Sequence, residues 1–162
     1  MHPVHPMLIV FPIGLWIFSL VCDIIYWAGG GATWDTVSKY AIAGGCIGAL
    51  LAAVPGFIDL LSMSKSPVRT IAIGHMALNL GALALFVISF FIRNSLPAGT
   101  ETVAPFVLSI IGVATVFVSG WLGGAMVYEY GMAVETEEKP VVPEEPTRHK
   151  PNKKGAPFGR LL

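Results

Sequence analysis

Charged side chains are scarce in this chain of 162 residues, at 12% against about 25% in typical soluble proteins. Eleven of the twenty formal charges lie beyond residue 134, which leaves nine for everything before it. Nine charges are too few to cover a water-soluble globule of that size. The composition therefore excludes an ordinary soluble domain over the first 134 residues.

Several sequence motifs are missing, and each absence excludes a chemistry. The sequence has no glycine-rich phosphate loop, no dinucleotide fingerprint, no C-x-x-C and no nucleophile elbow. The only two cysteines, Cys22 and Cys46, lie in apolar stretches, where thiols usually serve packing and not a disulfide. The basic segment near the carboxyl terminus has no RNA or DNA module around it. We therefore expect no nucleic-acid partner, and no pattern indicates an enzyme or a catalytic residue.

Four long apolar stretches are the main feature that is present. Residues 40–58, 70–92 and 102–128 contain no Asp, Glu, Lys or Arg, and residues 7–28 contain only Asp23. A helix needs about 20 apolar residues to cross the hydrocarbon core of a membrane. Only helices and closed barrels satisfy their backbone there, and the short alternating segments of a barrel are missing. The sequence predicts an all-α, integral membrane four-helix antiparallel bundle.

Proline, glycine and polar residues place the helices at about 6–28, 36–61, 67–93 and 102–130. Pro6 and Pro67 suit a first helical turn, where the missing N–H costs nothing. The connections are short, so sequential helices should be antiparallel neighbours. We expect a transmembrane domain over residues 1–134. Residues 135–162 carry many charges and few apolar side chains, which predicts a disordered charged tail.

The distribution of basic residues predicts an orientation. Lys65 and Arg69 lie in or beside the connection between the second and third helices, and six more basic residues follow in the tail. Lys and Arg next to spans are enriched on the cytoplasmic side. We therefore expect a multi-pass membrane protein with both termini in the cytoplasm and the lipid bilayer as its first partner.

Polar residues gather at one end of the predicted bundle. Antiparallel helices bring together the start of helix 1, the end of helix 2, the start of helix 3 and the end of helix 4. Ionisable groups in spans are expensive and usually face the bundle interior, so this end predicts a polar pocket. At the opposite end, Asp23 should pair with Lys39 or Arg93, and Asp35 lies in a loop. The residues of the first end are His2, His5, Asp59, Arg69, His75, Asn79, Trp121, Tyr128, Glu129 and Tyr130.

The histidines support two interpretations. His75 lies eight residues past Pro67 and either hydrogen-bonds another helix or binds a metal ion or haem iron. His2 and His5 stand beside prolines that stiffen the chain, which either caps the helix start or preorganises ligands. His2, His5 and His75 with Asp59 or Glu129 would suit a transition metal such as zinc or non-haem iron. The simpler role of Asp59 is an ion pair with Arg69.

Four motifs carry a resemblance to a known family. Together and in this order they resemble a bacterial family of small four-helix predicted membrane proteins of unknown function. The resemblance implies the four-helix fold over about residues 1–134 and a location in the bacterial inner membrane. Relatives fused to Rieske-type or c-type cytochrome domains imply a redox setting. Many members have histidines at the positions where this chain has Val10 and Tyr130. His5 and His75 therefore remain as the pair of candidate ligands in this chain. The motifs are His2-Pro3-Val4-His5-Pro6 with Phe11-Pro12-Ile13-Gly14-Leu15, Pro55-Gly56-Phe57-Ile58-Asp59, Arg69 to His75 to Asn79, and Ser119-Gly120-Trp121-Leu122-Gly123-Gly124.

Two functions follow as hypotheses. The first is a binding or scaffold module whose polar pocket recognises a partner protein, an ion or a lipid headgroup. The alternative is a small electron-transfer protein that binds haem b or a transition metal and meets a redox partner. His5 or His2 would then bind the iron with His75, Arg69 would neutralise a propionate and Trp121 would pack on the macrocycle. A homodimer is compatible with both functions. A transporter has little support, because four helices with short loops and no internal repeats leave little room for alternating access.

Overall fold

The computed structural model describes residues 4–97, 100 and 103–132, and within them it contains four α-helices and no strand. All four helices are long and apolar enough to cross a membrane. The predicted all-α, four-helix membrane architecture is confirmed. The predicted disordered tail and His2 lie outside the described residues. The helices are α1 Val4–Ile25, α2 Ala32–Ser62, α3 Pro67–Asn94 and α4 Val103–Tyr128.

The bundle consists of two antiparallel hairpins. α1 packs along α2, and α3 packs along α4, while α2 with α3 and α1 with α4 make smaller interfaces between the hairpins. Short connections allow only neighbouring antiparallel helices, as the sequence predicts. The start of α1 and the end of α4 therefore lie at the same end of the bundle.

Glycine and proline determine how the hairpins turn. α1 continues into a π-helical turn, Tyr26–Gly30, and the chain then reverses through Gly29 with φ 93° and Gly31 with φ 85°. These left-handed backbone angles favour glycine. α2 consequently begins at Ala32, four residues before the expected start near Thr36. In the second connection, Ser66 Oγ accepts a hydrogen bond from the Arg69 amide and caps α3 ahead of Pro67.

Apolar side chains from all four helices form a layer in the middle of the bundle. Trp16 of α1 stacks on Phe86 of α3, with ring centroids 4.4 Å apart and planes at 11°. Ile42 and Val113 belong to the same buried cluster. A Cβ on Gly112 would lie 2.7 Å from the Phe86 ring, so this close approach requires glycine. We call this cluster the aromatic layer; it separates the two polar ends of the bundle.

Candidate functional site

Two histidines from different hairpins meet at the end of the bundle where the chain begins. The ring centroids of His5, in the first turn of α1, and His75, in the first half of α3, are 6.4 Å apart, and the rings are perpendicular. Both side chains are half-buried. We call His5, His75, Asn79 and Ser119 the histidine end. Antiparallel pairing of the helices was the reason to expect this meeting, and the structure brings these two rings together.

His5 is held by the backbone of α2. Its Nδ1 lies 2.8 Å from the carbonyl oxygen of Ala52. A carbonyl only accepts, so Nδ1 carries the proton, and in the neutral ring Nε2 keeps a lone pair. The bonded carbonyl lies next to that of Leu51, which loses its helical partner because Pro55 has no N–H. Gly56 makes room for the ring, since a Cβ there would lie 2.7 Å from Nδ1.

His75 is held by the backbone of α4. Its Nδ1 donates to the carbonyl oxygen of Ser119 at 2.8 Å, and Ser119 Oγ lies 3.0 Å from the same nitrogen. Asn79 Nδ2 donates to Nε2 at 2.9 Å and also lies 3.0 Å from the His75 carbonyl oxygen. Both ring nitrogens are therefore used, which fixes a neutral ring with the proton on Nδ1.

The other residues predicted for this end make no hydrogen bond, ion pair or ring contact with the two histidines in the part of the chain that the structure describes. Asp59 is exposed. The prediction that it pairs with Arg69 is wrong, because no salt bridge joins these two side chains among the described residues. Asp59 faces outward, whereas Arg69 is half-buried, and its Nε is buried without a hydrogen-bond partner among the described residues. Trp121 and Tyr128 are 81% and 91% exposed and lie on the outer surface of α4. Glu129 is exposed as well.

The described part of the histidine end offers two imidazoles as metal ligands. Within residues 4–97, 100 and 103–132, no three side chains of His, Cys, Asp or Glu converge as a metal site would require. His2, the third imidazole of the predicted set, lies outside those residues. This end can therefore present two imidazoles to a ligand, through Nε2 of His5 and, once the Asn79 amide moves away, through Nε2 of His75.

The opposite end holds a buried ion cluster that is larger than the sequence indicated. Arg93 Nη2 donates to Asp23 Oδ2 at 2.7 Å, which confirms one of the two partners expected for Asp23. Arg93 Nη1 donates to Asp35 Oδ1 at 3.1 Å. Asp35, expected in a loop, lies in the first turn of α2. Lys39 is not in the cluster, and its ammonium lies 5.7 Å from the Tyr40 ring centroid.

Two buried serines complete this cluster, which we call the arginine end. Arg93 Nε donates to Ser89 Oγ at 3.3 Å, and Nη2 lies 3.4 Å from Ser109 Oγ on α4. The guanidinium thus contacts all four helices. Sequence reasoning missed both serines, although Ser89 stands one turn before Arg93, a spacing that places two side chains on the same helix face.

The fold and its two polar ends define a polytopic helical membrane protein. Residues 1–136 match the family described as "Predicted membrane protein (DUF2231)". The chain belongs to this family of predicted membrane proteins of unknown function, in agreement with the resemblance seen in its motifs. No curated protein and no solved structure matches the chain.

Proposed function

We propose that the chain is a membrane-embedded binding module that holds one transition-metal centre between His5 and His75. The observation that supports this proposal is that each ring donates its Nδ1–H to a backbone carbonyl of a neighbouring helix. Metal-ligating histidines almost always donate their second ring N–H in this way, which fixes the ring and raises the basicity of the other nitrogen. Plain interhelical packing would not require both rings to donate through the same nitrogen, Nδ1.

The ring separation is compatible with a shared metal. Metal–imidazole bonds are about 2.0–2.1 Å long, so two rings that bind one metal have centroids about 5–6.5 Å apart, depending on the angle between the two bonds. The centroids of His5 and His75 are 6.4 Å apart, at the upper end of this range. Binding at His75 also requires the Asn79 amide to leave Nε2.

The site suits a transition metal that prefers neutral imidazole ligands. Zinc, copper, nickel and iron share this preference, and haem iron is commonly held by histidine. The buried Nε of Arg69 has no hydrogen-bond partner among the described residues, and such a donor suits an anionic group such as a haem propionate. A bare ion would not need it. We leave Trp121 and Asp59 out of the proposed site because both side chains are exposed.

An absorbance spectrum combined with metal analysis tests the proposal on full-length protein in detergent. The protein is offered haem, iron, copper and zinc in separate preparations. We expect either a haem Soret band or one equivalent of a bound ion, which His5→Ala and His75→Ala both abolish. His149→Ala is the matched control, because it removes a histidine from the charged tail, and it should bind as the natural chain does.

A natural chain that stays colourless and free of metal in every preparation would contradict the proposal. The scaffold hypothesis would then remain, in which the histidine end contacts a partner protein. In that event His75→Ala would weaken capture of the partner while the helical content, measured by circular dichroism, stays unchanged.

A further inference from the structure

An apolar groove lies between the two hairpins, where α2 meets α3. Its volume is about 250 Å³. Ile47 and Phe91 on its walls are 62% and 64% exposed, so the groove opens to the outside of the bundle, where lipid surrounds a membrane protein. The residues that line it are Ala43, Cys46, Ile47, Val87, Phe90 and Phe91.

The groove is too large to be a packing defect. Close-packed interiors contain few voids larger than a water molecule, and one water needs about 10–15 Å³. The groove is far larger than this, and its apolar walls offer a water molecule no hydrogen bond. In a membrane, an apolar group therefore fills it.

A second copy of the chain does not suit the shape of this groove. Helices associate in membranes where small residues let their backbones approach closely. Only Ala43 and Cys46 of the lining are small, and the α3 wall consists of Val87 and two phenylalanines. A single acyl chain is thinner than a helix and flexible, so it can follow the space between these walls.

A positive charge stands at the outer end of the groove. Lys39 lies one turn before Ala43 on α2, and Asn94 lies one turn after Phe90 on α3. Residues four apart share a helix face, so both lie above the groove, at the level where α3 ends. The Lys39 ammonium lies 5.7 Å from the Tyr40 ring centroid, and no salt bridge joins it to a carboxylate within the described parts of the chain.

Tyr40 indicates that this level is the membrane surface. Its side chain is 68% exposed, and exposed tyrosines of membrane helices gather at the depth of the lipid headgroups. A lipid whose acyl chain enters the groove therefore has its phosphate near Lys39. An uncharged isoprenoid or quinone could fill the apolar part but would make no use of the ammonium.

We infer that the groove is a binding site for one anionic phospholipid per chain. One acyl chain lies between α2 and α3, the Lys39 ammonium donates to the phosphate, and the Asn94 amide borders the headgroup. Charge-assisted hydrogen bonds to phosphate are strong, and basic pockets between membrane helices bind anionic headgroups. The site is independent of the histidine end and of any metal bound there.

Native mass spectrometry of the full chain in detergent tests the headgroup. The protein is offered equal amounts of phosphatidylglycerol and phosphatidylcholine with the same acyl chains. We expect one phosphatidylglycerol per chain, preferred by about fivefold, the effect of one lysine near a charged lipid surface. Lys39→Gln should retain both lipids equally. Lys65→Gln is the matched control, an exposed lysine at the opposite end, and should keep the preference.

A second pair of variants tests the groove. Ala43→Phe places a ring between its walls and should abolish retention of both lipids. Ala114→Phe is the matched control, because Ala114 is exposed on α4, and it should bind as the natural chain does. Should Ala43→Phe not fold, the natural chain decides: glycerol 3-phosphate, which has the phosphate and no acyl chain, should fail to displace the lipid.

Three results would overturn the inference. The first is equal retention of the two lipids by the natural chain, which would mean that lipid merely coats the protein. The second is a preference that survives Lys39→Gln, or retention that survives in folded Ala43→Phe. The third is displacement of the lipid by glycerol 3-phosphate or by formation of a dimer.

Discussion

At the scale of single residues, the position of His5 depends on the absence of a side chain at Gly56. A Cβ there would lie 2.7 Å from Nδ1, the atom that donates to the Ala52 carbonyl. The histidine therefore adopts its orientation only where α2 presents bare backbone. The adjacent Pro55 also leaves the Leu51 carbonyl of the same turn without its helical hydrogen bond, because proline has no backbone N–H.

Gly56→Ala should lower the free energy of unfolding by about 1–3 kcal/mol, as overpacking does in close-packed interiors. The ring must leave the Ala52 carbonyl, so one hydrogen bond is lost together with the close contact. Titration with a denaturing detergent, followed by circular dichroism, measures this change. Gly14→Ala is the matched control, because a Cβ added at Gly14 would meet no neighbouring side chain or helix within 4 Å. Helix propensity favours alanine over glycine there by about 1 kcal/mol. Equal stability of the two variants would contradict the expected clash.

At the scale of helices, Arg93 connects the two hairpins. It lies on α3, and its guanidinium contacts Asp23 of α1, Asp35 of α2 and Ser109 of α4. The interfaces between the hairpins are the smaller ones, and this side chain links the hairpins together with the stack of Trp16 on Phe86.

Arg93→Met should destabilise the bundle by about 3–5 kcal/mol, because the buried carboxylate of Asp23 loses its counter-charge and the half-buried carboxylate of Asp35 loses its bond to the guanidinium. The same denaturing titration measures the change. Arg69→Met serves as the comparison: this arginine has no ion pair among the described residues, and its replacement should change stability by less than about 1 kcal/mol. Similar losses in the two variants would mean that the cluster does not hold the hairpins together.

The sequence predicts where a residue lies along the membrane normal far better than the direction in which its side chain points. Axial position follows from the rise of about 1.5 Å per residue, so the meeting of His5 with His75 and of Asp23 with Arg93 was predictable. Direction around a helix was not, because lipid-facing and core-facing surfaces of a membrane helix are equally apolar. The sequence therefore predicts Trp121 at the pocket, whereas its side chain faces outward.

The same limit explains what was missed at the arginine end. Asp35 follows a glycine run and reads as a loop residue, yet α2 begins at Ala32 and its first turn presents Asp35 to Arg93. Ser89 carries no charge, so nothing in its composition distinguished it from a serine that packs.

At the scale of the whole molecule, the orientation in the membrane is a testable prediction. With Cys22 and Cys46 replaced by alanine, Ser64→Cys and Ser95→Cys each introduce one exposed thiol, at opposite ends of the bundle. Lys65 and Arg69 beside Ser64 favour the cytoplasmic side. In intact cells, a membrane-impermeant maleimide should label Ser95→Cys and leave Ser64→Cys unlabelled. The reverse pattern would place both termini outside.

The aromatic layer has a consequence for electrical behaviour. Eighteen residues separate His75 from Arg93, about 27 Å along α3, which is close to the thickness of the hydrocarbon core. The stacked Trp16 and Phe86 rings lie within this interval, and residues 76–92 of α3 contain no charged side chain. In a bilayer, a transmembrane voltage falls mainly across this apolar interval, so the histidine end and the arginine end lie near opposite ends of the potential drop.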